Sequence, residues 1–534
     1  MKQRLYLVPV LLFLIILMAN CAKKGTPSGG PKDTIPPIIV KSAPENFSIN
    51  FDQNEIRISF DEYIKLKDLQ QNLIISPPLK YDPIITPTGT SKQLRIKILD
   101  TLAPNTTYSI NFGRSIVDNN EENEYDYYKY VFSTGDYIDS LVLKGRVKDG
   151  LLPKIEESIT LMLHEIDSSY TDSTIYFEKP TYITTTRDST GSFELTNLKE
   201  GRYMLMALQE KSNDYTFQPQ TDKIGFWPEP ITLPTEESFD LTLFKEIPDF
   251  EMSRPEQLSK FHIVFGYMGD GKELEIKPIS ELPADHESLT LKDLETDSLH
   301  YWYKPEITLD TLYFNAKNAA YEDSLVVRMK SLFPDSLKLS GYKVGTVKPR
   351  DTMSFRSTTP IVAIDTTQIS IVDKDTIGVA FSAQIDPSAS LVNVTFDKTD
   401  DQRYTVSLFP GAVTDFYEAV NDSTEYVVQT KALSDYGTLT LTLENVASYP
   451  VIVQLVNEKM DIQKEEFVED DWPVEFDYIT PGRYYLRIID DKNGNGIWDT
   501  GSLLKRIQPE VVKYYPVMLD IRANWSLNER FKLN

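Results

Sequence analysis

Ile56-Arg57-Ile58-Ser59-Phe60 sets three apolar side chains on one side of an extended chain and two polar ones on the other. Alternation with a period of two is the mark of a half-buried strand. Leu94, Ile96 and Ile98 repeat it, and so do Tyr108, Ile110 and Phe112 after the turn Pro104-Asn105-Thr106-Thr107. Tyr130-Val131-Phe132-Ser133-Thr134-Gly135 closes the unit. Roughly 100 residues with a turn every 8–12 positions predict a β-sandwich.

The same pattern continues outward. The chain of 534 residues is 41% hydrophobic and 25% charged, ordinary for globular domains. Its 30 Tyr and 25 Phe, with short runs of Thr, Ile and Val, favour strands, and long helical periodicity is absent. The expected fold class is all-β, a multidomain string of sandwiches. A net charge of −25 argues against a nucleic-acid partner and against a basic membrane-binding face. The single cysteine, Cys21, leaves no intrachain disulfide, so stability must rest on apolar cores and any bound ions.

At the N-terminus, Lys2 and Arg4 precede an apolar run from Leu5 to Ala19. That order reads as an export signal over 1–20. The run of roughly 15 residues falls short of the ~18–20 needed to cross a bilayer. Residues 21–37, rich in Gly and Pro, read as a flexible tether. Leu17-Met18-Ala19-Asn20-Cys21 resembles a bacterial lipobox, with Met18 where leucine is usual and Asn20 where a smaller residue is. The resemblance implies acylation of Cys21, palmitate included, as the first residue of the mature chain. A plain secretory signal that happens to contain a cysteine is the alternative.

Five modules are expected after the tether: 38–136, 137–247, 248–360, 361–435 and 436–534. In the second, Ile159, Leu161 and Leu163 alternate, and Gly201-Arg202-Tyr203-Met204-Leu205 opens a strand. Gly482-Arg483-Tyr484-Tyr485-Leu486 repeats that signature, and each copy runs into a polar loop, Lys211–Asp214 and Asp491–Asn495. The pair reads as a duplication of whole domains. Between them, Phe261, Ile263 and Phe265, then Leu312 and Phe314, then Leu325, Val327 and Met329 predict further strands, divided at about Pro360.

Phe60-Asp61-Glu62, Leu102 to Tyr108, Val117-Asp118-Asn119-Asn120 and Phe132-Ser133-Thr134 are similar to the bacterial Ig-like domains of S-layer type. Phe381-Ser382 and the turn Pro410 to Phe416 resemble the same pattern, which implies Ig-like folds for the third and fourth modules. The Gly-Arg-Tyr modules look like the prealbumin-type sandwich of carboxypeptidase regulatory-like domains, a stalk or spacer. The tether leading into an Ig-like domain resembles a family of outer-membrane lipoproteins of Bacteroidetes. It implies a non-enzymatic protein acting through protein contacts.

Candidate sites are few. Asp491, Asn493, Asn495 and Asp499 fall at positions 1, 3, 5 and 9 of a calcium-loop pattern, with Gly496 at the turn and the Ile497 carbonyl at position 7. Position 12 is Ser502, so the closing glutamate is missing. The loop reads either as a weak calcium site or as a bare polar turn. No other cofactor is expected. Catalytic motifs are not found, and His262, between Phe261 and Ile263, reads as an exposed strand histidine. Asp-Ser/Thr-aliphatic triplets place Thr101, Ser140, Ser298, Thr311, Ser324, Ser336, Thr352 and Thr376 after an aspartate. They resemble the O-glycosylation triplet of exported Bacteroidetes proteins, and read equally as side-chain turns before strands.

The expected function is that of a lipid-anchored binding or scaffold subunit of the outer membrane, not an enzyme. Its partner would be an outer-membrane protein, such as a β-barrel or assembly machine, with no nucleic acid and no small-molecule substrate. Which face of that membrane it occupies, periplasm or cell surface, is left open. The alternative is a surface glycan-binding lipoprotein that stacks sugars on exposed Trp302, Trp472 and Trp498.

Overall fold

The computed structural model describes residues 32–533 except 156–157, 187–188, 320 and 387–389. The signal, Cys21 and the first part of the tether lie outside the described residues. The chain groups into two units. One runs to Val142 with Thr181–Thr184 and Leu195–Glu200; the other takes Leu143–Pro180, Thr185–Glu194 and Gly201 onward.

The opening alternation is the Glu55–Leu66 strand, flanked by Ile39–Ala43 on one side and Ser91–Lys97 on the other. Its far end turns to pair with Ile116–Asp118. A second sheet of Ile74–Ser76, Thr107–Asn111 and Lys129–Ser133 covers the apolar face. Ile56, Ile58, Leu94, Ile96, Ile110 and Phe112 are at most 1% exposed, and burial of each contributes roughly 1.5–3 kcal/mol. Tyr108 stacks on Phe132 at 5.4 Å while its Oη accepts the Ala103 N–H.

The turn after Ile116–Asp118 is built on one carboxylate. Asp118 accepts backbone N–H groups of Asn120, Glu121, Glu122 and Asn123 at 2.8–3.2 Å. Burial pushes its pKa up, and these donors outweigh that and hold it below the usual range. Val413–Asp415 ends in the same way: Asp415 accepts from Tyr417, Ala419 and the Thr359 hydroxyl. The likeness read between Val117-Asp118 and the Pro410–Phe416 turn therefore has a physical content, a buried aspartate that closes a turn.

The duplicated modules match strand for strand. In the earlier copy, Leu141–Asp149 lies between Ser192–Leu198 and Ser238–Leu243, the last of them parallel. The later copy sets Gly437–Glu444 between Val474–Ile479 and Ser526–Lys532, again parallel to the last. The facing sheets run Tyr182–Thr185, Thr160–Glu165, Gly201–Gln209, Lys223–Phe226 and Ile462–Val468, Val451–Val456, Gly482–Asp490, Val512–Tyr514. The signature is sterically tight in the earlier copy and in ordinary contact in the later one. A Cβ at Gly201 would stand 3.0 Å from Tyr203 Oη, and one at Gly482 would stand 3.4 Å from Tyr484 Oη. In each copy the tyrosine folds back over the glycine.

Between the copies are two separate cores. Ile263, Phe265, Tyr301, Phe314 and Val327 form one; Met353, Phe355, Val392, Val406 and Val428 form the other. Leu337, Leu339 and Val344 pack on the second core, so the division expected at about Pro360 is corrected to the stretch just before Leu337. Leu339–Lys343 pairs with Met353–Ser357, which pairs with Leu391–Phe396. This edge strand is mostly exposed, and its sequence carries no apolar alternation to announce it.

Candidate functional site

The most constructed feature of the second unit is the loop that follows Gly482–Asp490 and ends at Val512–Tyr514. Asp491, 2% exposed, accepts the N–H groups of Gly494 and Gly496 at 2.8 Å. Both glycines have positive φ, 71° and 76°, which side-chain-bearing residues rarely adopt. Asn495 Nδ2 donates to Asp499 Oδ2 at 2.9 Å, and Asn493 Nδ2 donates to the same oxygen. The four residues of the calcium-loop pattern thus share one turn.

Sequence spacing missed one member. Glu510, buried, accepts the N–H of Lys492 at 2.8 Å and of Asp499 at 3.1 Å, while its carbonyl takes the Trp498 indole N–H at 3.0 Å. A carboxylate from beyond the pattern closes the loop where Ser502 could not. It lies outside the twelve-residue window, so no spacing rule finds it. Among the described residues no three His, Cys, Asp or Glu side chains gather as a metal cluster. The oxygens of this loop are amide, carboxylate and carbonyl, a hard-cation set, and in the structure backbone and amide N–H groups occupy them.

Past the turn, the loop grips the earlier copy. Thr500 Oγ1 donates to the Lys245 carbonyl at 2.7 Å, and the Leu503 N–H donates to the Glu246 carboxylate. Arg506 reaches the Pro228 carbonyl at 2.7 Å and pairs with Asp172, and Gln508 donates to the Phe226 carbonyl at 3.0 Å. Gly501 passes so close that a Cβ would stand 2.7 Å from the Phe244 ring and from the Ile507 carbonyl. Arg487, 6% exposed, donates to the Leu151 carbonyl at 2.9 Å and to Gln454 at 2.7 Å, and Tyr514 Oη donates to the same Leu151 carbonyl. Burial pushes Glu246 above the usual carboxylate range, only partly countered by the Leu503 N–H. Within the second unit, therefore, the last module is clasped to the earlier copy.

A second cluster corrects the reading of His262 as an exposed strand residue. His262 is 6% exposed and stacks on Trp302 at 3.6 Å with 10° between the planes. Its Nε2 lies 2.9 Å from Nδ1 of His300. Cross-strand register makes the cluster, because His262 pairs with Trp302 and Val264 with His300. Asp335 stands 3.7 Å beyond His262 and Asp293 3.5 Å beyond His300. Burial drives the His262 pKa down to about 3, and that of His300 is lowered for the same reason.

Burial also removes Trp302 from the proposed sugar platform. Trp498 is half-buried with its indole N–H taken by Glu510, and Trp472 is exposed. Of the eight triplet hydroxyls, those of Thr101, Ser140, Ser324, Ser336 and Thr376 are on exposed residues, and Thr311 and Thr352 are half-buried. Ser298 is buried against Thr296 and His300, which corrects its place among accessible acceptors. Asp100 and Asp323 each accept the N–H of the residue that follows, and Asp323-Ser324 lies inside the Tyr321–Arg328 strand and not in a turn before it.

Residues 33–134 match the bacterial Ig-like domain family. No curated protein matches the chain. Among solved structures it is similar to the surface layer protein SbsC, domains 1–6, at 10% identity, covering 86% of this chain and 66% of that one with a TM-score of 0.16. A second S-layer structure, rSbsC(31-844), matches at 12% identity over 91% and 67% with a TM-score of 0.16. The major pilin subunit BcpA of Bacillus cereus matches at 11% identity over 74% and 99% with a TM-score of 0.13. The chain spans about two thirds of the length of the S-layer structures. Superpositions this shallow carry no argument about function. The family match places one bacterial Ig-like domain at residues 33–134.

Proposed function

We propose that this chain is a non-enzymatic outer-membrane lipoprotein, a binding and scaffold subunit for an outer-membrane protein such as a β-barrel or assembly machine. The observation that carries the reading is the placement of the only cysteine, Cys21, after an apolar run and before a Gly/Pro tether, ahead of an Ig-like module matched over 33–134. Acylation at Cys21 fixes one end to the membrane, and the clasped sandwiches behind it present loops and strand edges to the partner. Purification of the native protein from solubilised outer membrane tests this. A stoichiometric membrane-protein partner supports it, and recovery of the chain alone sinks it. Cys21→Ser should move the chain to the soluble fraction and abolish palmitate labelling.

In the same reading the Asp491–Asp499 loop takes a calcium ion weakly, through Asp491, Asn493, Asn495, Asp499 and the Ile497 carbonyl, and stiffens the clasp. Calcium should raise the melting temperature and EGTA lower it, with Asp499→Ala insensitive to both. An unchanged melt leaves the loop a bare turn. O-glycans would sit on the exposed triplets and not on Ser298. Intact mass of the exported chain decides this, since an unmodified mass rules glycosylation out.

A further inference from the structure

The joint between the duplicated modules holds a cleft that the clasp does not fill. Leu152, Lys154 and Ile155 of the earlier copy and Lys459, Met460 and Tyr485 of the later one line a volume of 470 Å³, in the range of small-molecule sites. Its walls are divided by chemistry. Leu152, Ile155 and Met460 are apolar. Lys154 and Lys459 have no carboxylate partner among the described residues. That is against the trend of a chain with 80 acidic residues for 55 basic ones. Among the described residues the one carboxylate on the rim is Glu458, which faces Arg483 at 3.6 Å.

A third cation stands behind them. Arg487 follows Tyr485 by two residues on the same face of its strand. It is buried, and its hydrogen-bond partners Gln454, the Leu151 carbonyl and Tyr514 are uncharged. A buried charge without a counter-ion projects its field further than an exposed pair does. The cleft therefore combines apolar walls with a positive edge inside an acidic molecule.

We propose that this cleft binds an anionic amphiphile, with a carboxylate or sulfonate head between Lys154 and Lys459 and an apolar body against Leu152, Ile155 and Met460. The site is independent of the membrane assignment, because it rests only on the joint. To test it, the full chain carrying Cys21→Ser is titrated with 1-anilinonaphthalene-8-sulfonate by fluorescence, and octanoate is added as competitor. One saturable site, displaced by octanoate, is expected. K154E/K459E should weaken it at least tenfold with the melting temperature unchanged. Leu152→Trp, which fills the cleft and keeps both lysines, should abolish it. Absence of saturable binding overturns the proposal. So does binding that both variants retain in full, which would place the probe on another apolar surface.

Discussion

Arg487 Nη1 donates to the main-chain carbonyl of Leu151 at 2.9 Å, joining residues that lie 336 positions apart in the sequence. Tyr514 Oη donates to the same oxygen. Arg487→Met keeps the bulk of the side chain and removes the charge-assisted bond, so the clasped unit should lose about 2 kcal/mol. Tyr514→Phe should cost about 1 kcal/mol. The double variant should fall short of the sum, because the two donors share one acceptor. Urea denaturation curves of the three variants measure both effects.

Gly501 allows the clasp to lie on Phe244. Gly501→Ala places a methyl against that ring and against the Ile507 carbonyl at 2.7 Å, distances that force the loop outward. The expected result is faster proteolysis within 491–511 with little change in the far-ultraviolet signal. Equal cleavage rates for the variant and the parent chain would show that the loop does not depend on this approach.

Stability should fall as pH drops from about 6.5 towards about 3. The unfolded chain protonates His262 near its usual pKa of about 6.5, whereas burial delays this in the folded chain to about 3. A depressed histidine gives stability that is present above the unfolded pKa and lost as pH falls, about 2 kcal/mol by pH 5. The groups facing the pair are Asp335, Asp293, Lys292 and Arg356. Glu246 works in the opposite sense, since its raised pKa gives stability that is lost as pH rises. His262→Phe keeps a ring against Trp302 and should flatten the acid limb of a urea-midpoint series. Glu246→Gln should instead stabilise at pH 7.

Asp118 and Asp415 each hold a turn through backbone N–H groups. Asp118→Ala leaves up to four N–H groups without their acceptor, and should cost the first module about 2–3 kcal/mol. Asp415→Ala should act on the fourth module in the same way. Differential calorimetry should show a low-temperature transition appear, of module size, in each variant.

Alternation in Ile56, Ile58 and Phe60 determined the strand and its buried face, because a period of two admits one orientation. The repeated Gly-Arg-Tyr pointed to the paired modules, and in each of them the tyrosine folds back over the glycine. The turn aspartates were also legible, since local hydrogen bonding decides them. Contacts between distant residues were not legible in this way. Glu510 closes the polar loop from outside its motif, His262 meets His300 through strand register, and Leu337 joins a core by way of an exposed edge strand. Pairing across hundreds of residues depends on how whole modules pack, and no local spacing encodes it. The clasp of the last sandwich on the second is therefore a property of the tertiary structure, whereas the sandwiches themselves are a property of the sequence.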